Sequence, residues 1–401
     1  NCTDQFNLVK NLMNKNIIPY GRQSIDNRDI KNVVNVLKSD FLTSGPIVEK
    51  FEKEIRKYCN SKFSVSANSA TSALHIACLA LGLSKGDILW TTPITFVASA
   101  NCALYCNAKV DFVDIDSKTF NLSVSNLEEK LISAKKKGKL PKILIPTHLG
   151  GQSCEMDKIK DLSKKYHFNI IEDASHALGG RYKKRKVGNC KYSDITVFSF
   201  HPIKSITTAE GGMALTNNKK LADKMKIYRE HGIVRGHKNL KGKIKGPWVY
   251  QQQVLGYNYR LSDVHAALGI GQLKRLNKFL IKRNQISLLY KEKLKELPIR
   301  FQENQANIYS AKHLFIILVN KKTHLELFKY LRAKKILVNI HYIPIFLHPY
   351  FKSQNFKKEN FKNSMNYYRS AISLPIHYVL TRKQQLYVIS TIKNFYKSIR
   401  I

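Results

Sequence analysis

Short apolar runs alternate with helix-spaced segments through the first two-thirds of the chain, and this alternation limits the possible folds more than any other feature. FSVSA (63–67), KVDFVDI (109–115), KILIPTHL (142–149), FNIIED (168–173), DITVFSF (194–200) and GGMALTN (211–217) are rich in Val, Ile and Phe and read as strands. Between them lie helical spacings: Ile47, Phe51, Ile55 and Tyr58 following Pro46, and the run from Thr71 to its stop at Gly82. Strand, helix, strand in succession predicts an α/β fold, a mostly parallel sheet with helices on both faces. At 401 residues the chain exceeds what one core usually serves. A long helical pattern from about Leu261 to Leu297, then HLFIILV (313–319), a helix near Leu325 to Arg332 and LVNIHYIPIF (337–346), predict a smaller α+β domain. The expected division is a large domain over 1–275 and a small one over 276–401.

A net charge of +40 raises the question of nucleic acid. The Lys and Arg residues are spread evenly along the chain among many Asn and Ile, and no nucleic-acid-binding signature accompanies them. Compositional bias is the preferred reading, so no nucleic-acid partner is expected. No apolar run reaches the roughly 18 residues of a membrane span, and NCTDQFNLVKNL lacks a basic region followed by an apolar one. A cytoplasmic protein without a membrane partner is expected. The seven cysteines (Cys2, Cys59, Cys78, Cys102, Cys106, Cys154, Cys190) form neither a disulfide framework nor a CxxC pair. Cys102 and Cys106, four apart with no His close in sequence, read as core, and no metal is expected.

In sheets of this kind ligands gather at the carboxyl ends of the strands, and four such segments together suit pyridoxal phosphate (PLP). That cofactor needs a Schiff-base lysine, an acid for its ring nitrogen, a phosphate cradle and a ring platform. Lys204, in VFSFHPIKSITTAEGG, is the lysine, although alone it would read as one surface charge among many. Asp173, ending NIIED, would sit partly desolvated and want a cation such as a protonated pyridine nitrogen; alone it could equally be a helix cap. Ala70, Thr71 and Ser72 would open a helix whose free N–H groups favour phosphate, with a plain N-cap as the alternative. Ser199 could add a hydroxyl. Phe96 could lie against the ring or simply pack in the core.

These segments, NSATSALHIACLALGLSKGDILWTTPITFVASANCALY, IIEDASHALGG, FSFHPIKSITTAEGG and GYNYRLSDVHAALGIGQL, resemble in order and spacing the DegT/StrS-type sugar aminotransferases. The resemblance runs from about Ile18 to the carboxyl terminus. It implies the aspartate aminotransferase fold (fold type I), PLP alternating with its amine form PMP, and catalysis by Lys204 and Asp173. It further implies that Ser199 and Ala70 meet the cofactor phosphate or the substrate and that His176 lies near the ring's phenolic oxygen. Asn258 would reach into the site of a second subunit of a homodimer. Tyr20, the strip Asp40, Phe41, Leu42 and Thr43, and His341, Tyr342, Ile343 and Pro344 resemble sugar-nucleotide contacts. HPIKSITTAEGG, TPITFVASAN and His176, where many relatives have Gln, point to amination at C4 of a UDP-linked 4-keto-6-deoxy-N-acetyl-hexosamine. The implied amino donor is glutamate and the implied pathway leads to pseudaminic acid in surface glycans. Another nucleotide-keto-sugar is the alternative, and a non-catalytic nucleic-acid-binding or regulatory protein on the same fold is a second, disfavoured by intact Lys204 and Asp173. Arg260 reads equally as an anion contact or as the ion-pair partner of Asp263. The basic loop RYKKRKVGNC (181–190) reads as solvated rather than as a pyrophosphate contact.

Overall fold

The computed structural model describes residues 17–236, 240–242 and 246–399. Cys2 and the amino-terminal segment lie outside these residues. At the centre is a seven-stranded sheet, in spatial order Phe63–Ala67, Gly212–Thr216, Ile195–Ser199, Asn169–Asp173, Ile143–Ile145, Ile88–Thr91 and Lys109–Phe112. Gly212–Thr216 runs antiparallel to both its neighbours, and every other pairing is parallel. All six expected runs contain strands of this sheet. The seventh, Ile88–Thr91, is missing from the sequence reading because its four residues run directly into the polar Thr-Thr-Pro segment.

Helices cover both faces. Ala70–Ala80, Ala98–Tyr105 and Lys219–Arg229 share one apolar cluster with the sheet residues Val65, Ile145, Ile171 and Val197. Pro46–Cys59 contributes Phe51 and Ile55 to a second cluster on Phe198, Met213 and Leu215, the alternate residues of the same strands. That alternation of sides is the period-two rule of a strand buried on both faces.

One 32-residue helix, Asp263–Leu294, serves two cores. Up to Leu280 its residues join Phe51 and Phe198; from Ile286 they join Phe315, Leu327, Ile372 and Val388. Residue 275 therefore falls inside a continuous helix. The amino-terminal strip also belongs with the later half of the chain, since Ile18–Pro19 pairs in parallel with Ile336–Leu337.

Candidate active site

The strand ends converge on a cavity of about 400 Å³. It gathers Tyr20, Ala70, Thr71, Phe96, Asp173, His176, Ser199, Lys204, His341 and Tyr342, residues drawn from positions 20 to 342 of the sequence. Ile343, Pro344, Asn258 and the strip Asp40 to Thr43 do not line it.

Asp173 ends its strand with 4% of its surface exposed. Its Oδ2 accepts a hydrogen bond from Ser99 Oγ at 2.6 Å and its Oδ1 one from the Ser175 N–H at 3.1 Å. No cationic side chain among the described residues forms an ion pair with it. A buried carboxylate in that condition suits a cation arriving with a ligand.

Lys204 lies on the loop between Ile195–Ser199 and Gly212–Thr216, its backbone turned by a bond from Lys204 N to His201 O at 2.9 Å. Burial pushes its ammonium down to about 8, against the upward pull of the Asp173 carboxylate. A lysine poised there exchanges protons near neutral pH.

Ser69 caps the Ala70–Ala80 helix, accepting from Ser72 N, so the N–H groups of Ala70 and Thr71 open a first turn that has no acceptors of its own. The plain N-cap and the anion cradle thus coexist, on different residues. Among the described residues Ser199 Oγ meets only the His201 N–H, at 3.5 Å. Phe96 precedes the Ala98–Tyr105 helix and is 57% exposed at the cavity, not packed in the core.

His176 Nε2 lies 3.0 Å from the Tyr342 hydroxyl, while its Nδ1 is buried without a hydrogen-bond partner among the described residues. Burial, reinforced by the charge of Lys204, holds this imidazole well below the usual histidine range. Burial likewise raises the Tyr342 phenol. Both groups are neutral, and the His313 ring backs His176 at a centroid distance of 4.3 Å.

An unpaired buried carboxylate, an orphaned ring nitrogen, an open helix terminus and a depressed lysine together fit pyridoxal phosphate. Thr95, Thr147, Ser175, His201, Glu210 and Asn339 also line the cavity. The sequence reading missed them, although Thr95 and Thr147 follow strands just as Asp173 ends one.

Outside the cavity, Asp40 to Thr43 form an exposed ledge, and Asn258 is exposed as well. Thr43 bridges to Ser262, Asp263 N donates to Leu42 O, and Asn258 bridges to Glu230. Arg260 does not pair with Asp263. That carboxylate is fully buried and accepts instead from the N–H groups of Gly45, Ile47 and Val48, capping the Pro46–Cys59 helix. The basic loop is a hairpin, Arg181–Tyr182 with Arg185–Lys186, that stays clear of the cavity; Lys183 pairs with Asp157 and Lys186 sits over the Tyr58 ring. Cys102 and Cys106 are buried as expected, but the fold brings His75 to Cys106 from another helix.

A model of the DegT/DnrJ/EryC1/StrS aminotransferase family matches residues 23–393. The chain belongs to this family. The aminotransferase is 39% identical, over 96% of its length and 99% of the relative's, to UDP-4-amino-4,6-dideoxy-N-acetyl-beta-L-altrosamine transaminase of Campylobacter jejuni. Helicobacter pylori PseC, an aminotransferase involved in the biosynthesis of pseudoaminic acid, superimposes with a TM-score of 0.87 at 31% identity, covering 95% of the aminotransferase and 100% of PseC. A Streptococcus pneumoniae protein solved in its PLP-form superimposes with a TM-score of 0.85 at 26% identity, covering 96% and 99% of the two chains.

Proposed function

We propose that this aminotransferase uses pyridoxal 5′-phosphate to move an amino group from glutamate to C4 of a UDP-linked 4-keto-6-deoxy-N-acetyl-hexosamine. The product is UDP-4-amino-4,6-dideoxy-N-acetyl-β-L-altrosamine, an intermediate toward pseudaminic acid. The observation that carries the chemistry is the buried, unpaired Asp173 facing the same cavity as Lys204. The near full-length likeness to the Campylobacter transaminase supports the choice of sugar.

Bound between these residues, the cofactor supplies a cationic ring that draws electrons from the carbon gaining or losing the amino group. The Ala70 and Thr71 N–H groups with the Ser199 hydroxyl would hold its phosphate, and Phe96 would flank its ring. Asp173 would keep a proton on the ring nitrogen, and His176, neutral, would face the phenolic oxygen. Lys204 would hold the cofactor through Nζ and, when free, would serve as the acid and base that moves a proton at the carbon gaining or losing the amino group. Tyr20, Asn339, His341 and Tyr342 border the space left for the sugar.

The reading includes a homodimer in which the ledge of Asp40 to Thr43, and Asn258 likewise, face the partner's cavity. Phe41 and Leu42, 55% and 49% exposed on that ledge, suit cover by a second copy.

Absorbance spectra of the protein with pyridoxal phosphate, wild type and Lys204→Ala, test the proposal. The expected result is a visible band that requires Lys204, bleaches with glutamate and returns with the L-altrose-series UDP-4-ketone. A band restored only by another nucleotide-keto-sugar would replace the substrate, and the absence of a Lys204-dependent band would overturn the chemistry.

A further inference from the structure

Three buried hydroxyls run in series onto the Asp173 carboxylate. Thr147 Oγ1 donates to Thr95 Oγ1 at 3.0 Å, Thr95 Oγ1 lies 2.9 Å from Ser99 Oγ, and Ser99 Oγ reaches Asp173 Oδ2 at 2.6 Å. Ser99 is fully buried, and Thr95 and Thr147 are buried at the cavity wall. They come from three places: Thr147 follows the Ile143–Ile145 strand, Thr95 follows Ile88–Thr91, and Ser99 stands in the Ala98–Tyr105 helix.

The chain has a direction. An ionised carboxylate can only accept, so the Ser99 proton is committed to Asp173. The Ser99 oxygen then accepts from Thr95, whose own oxygen accepts from Thr147. Every O–H dipole points toward the carboxylate, and such series strengthen one another in a low-dielectric interior. With Ser99 on Oδ2 and the Ser175 N–H on Oδ1, the carboxylate is fixed in rotation.

We infer that Ser99 is a positioning residue that, through Asp173, keeps the proton on the ring nitrogen of the bound cofactor, with Thr95 and Thr147 polarising its hydroxyl. The inference rests on the proposed seating of the cofactor between Lys204 and Asp173. Other charged or titratable groups also surround this carboxylate. Lys204, His176, His341 and Tyr342 face it from the cavity; Glu172 and His148 adjoin it on the sheet; and Cys102 lies behind Ser99, donating to the Ser99 carbonyl at 3.4 Å. Ser99→Ala and Thr95→Val alter none of them.

The test is a pH titration of the visible band of holoenzyme for wild type, Ser99→Ala, Ser99→Thr and Thr95→Val, with cofactor affinity measured by fluorescence. Without the Ser99 donor the Asp173 carboxylate takes a larger share of the ring-nitrogen proton, and a less cationic ring raises the basicity of the nitrogen joined to Lys204. The band's midpoint is therefore expected to rise in Ser99→Ala by on the order of half a pH unit or more. Thr95→Val is expected to shift it in the same direction by less, and Ser99→Thr to restore it. Unchanged midpoints in both Ser99→Ala and Thr95→Val would overturn the inference even if activity and melting temperature fell, since packing loss alone moves only those. Should Ser99→Ala not fold, Thr95→Val, which keeps size and shape, decides alone. A band that persists in Lys204→Ala would remove the seating beneath the inference, a failure seen separately from any effect of Ser99.

Discussion

His176 Nε2 and the Tyr342 hydroxyl, 166 residues apart, stand 3.0 Å from each other across the cavity and tie the end of a central strand to the carboxyl-terminal half. Burial keeps both groups neutral, so the bond joins an uncharged phenol to an uncharged imidazole. Tyr342→Phe leaves the buried His176 Nε2 without its partner. The expected cost is about 1–3 kcal/mol of stability, together with a fall in kcat/KM. Thermal melting and steady-state kinetics on one preparation check both.

Lys204 makes stability depend on pH in a definite sense. Its pKa falls from 10.5 when free to about 8 in the fold. The unfolded chain therefore binds more protons between these values, and stability rises with pH across that window. The penalty is fully present below about pH 8 and is relieved as pH climbs through the free-lysine value. Removing the charge with Lys204→Met should stabilise cofactor-free protein at pH 7 by up to roughly 3 kcal/mol, read as a higher melting temperature, and by much less above pH 10.5. Melting curves at pH 7 and pH 11 measure the difference.

Asp263 caps a helix that begins 217 residues before it. Its carboxylate takes the Gly45 N–H at 2.7 Å, Ile47 at 2.8 Å and Val48 at 3.2 Å, where Gly45 offers no side chain of its own. Asp263→Ala should lose about 2–3 kcal/mol, and Asp263→Asn, which keeps one acceptor oxygen, less. The ledge of Asp40 to Thr43 hangs on the same contacts, so proteolysis near Phe41 is expected to quicken in parallel with the denaturation midpoint.

If Asn258 completes the partner's site, two inactive variants should help each other. Lys204→Ala and Asn258→Ala, unfolded and refolded together, are expected to regain part of the activity that neither shows alone, because some mixed dimers carry one intact site. Activity that stays at the sum of the two separate preparations would overturn a role for Asn258 in the partner's site.

The strand ends were readable from sequence because buried parallel strands announce themselves as apolar runs and their last residues face the ligand. Asp173, Ser199 and Lys204 follow from that rule. Ile88–Thr91 escaped it, being only four residues long, and with it went Thr95 and the hydroxyl series. No local pattern marks Thr95, Ser99 and Thr147 as partners, since Thr147 reaches the other two only through the neighbouring strand pairing. Asp263 misled for a related reason. Three residues from Arg260, it invited a local ion pair, while its true partners are backbone N–H groups far back in the chain.

The helix from Asp263 to Leu294 gives the two cores a common axle. Near its start it carries the Asp263 cap; farther on, Arg283 donates to the Ile376 carbonyl at 2.8 Å and Tyr290 to the Pro375 carbonyl at 3.0 Å. A rod that is a structural member of both halves cannot serve as a hinge without giving up backbone hydrogen bonds in its middle. Substrate is then expected to enter by small adjustments at the cavity, where Phe96 is exposed, while the two halves keep a fixed bearing on each other. Catalytic turnover in this fold is therefore expected to leave the overall hydrodynamic size of the protein unchanged.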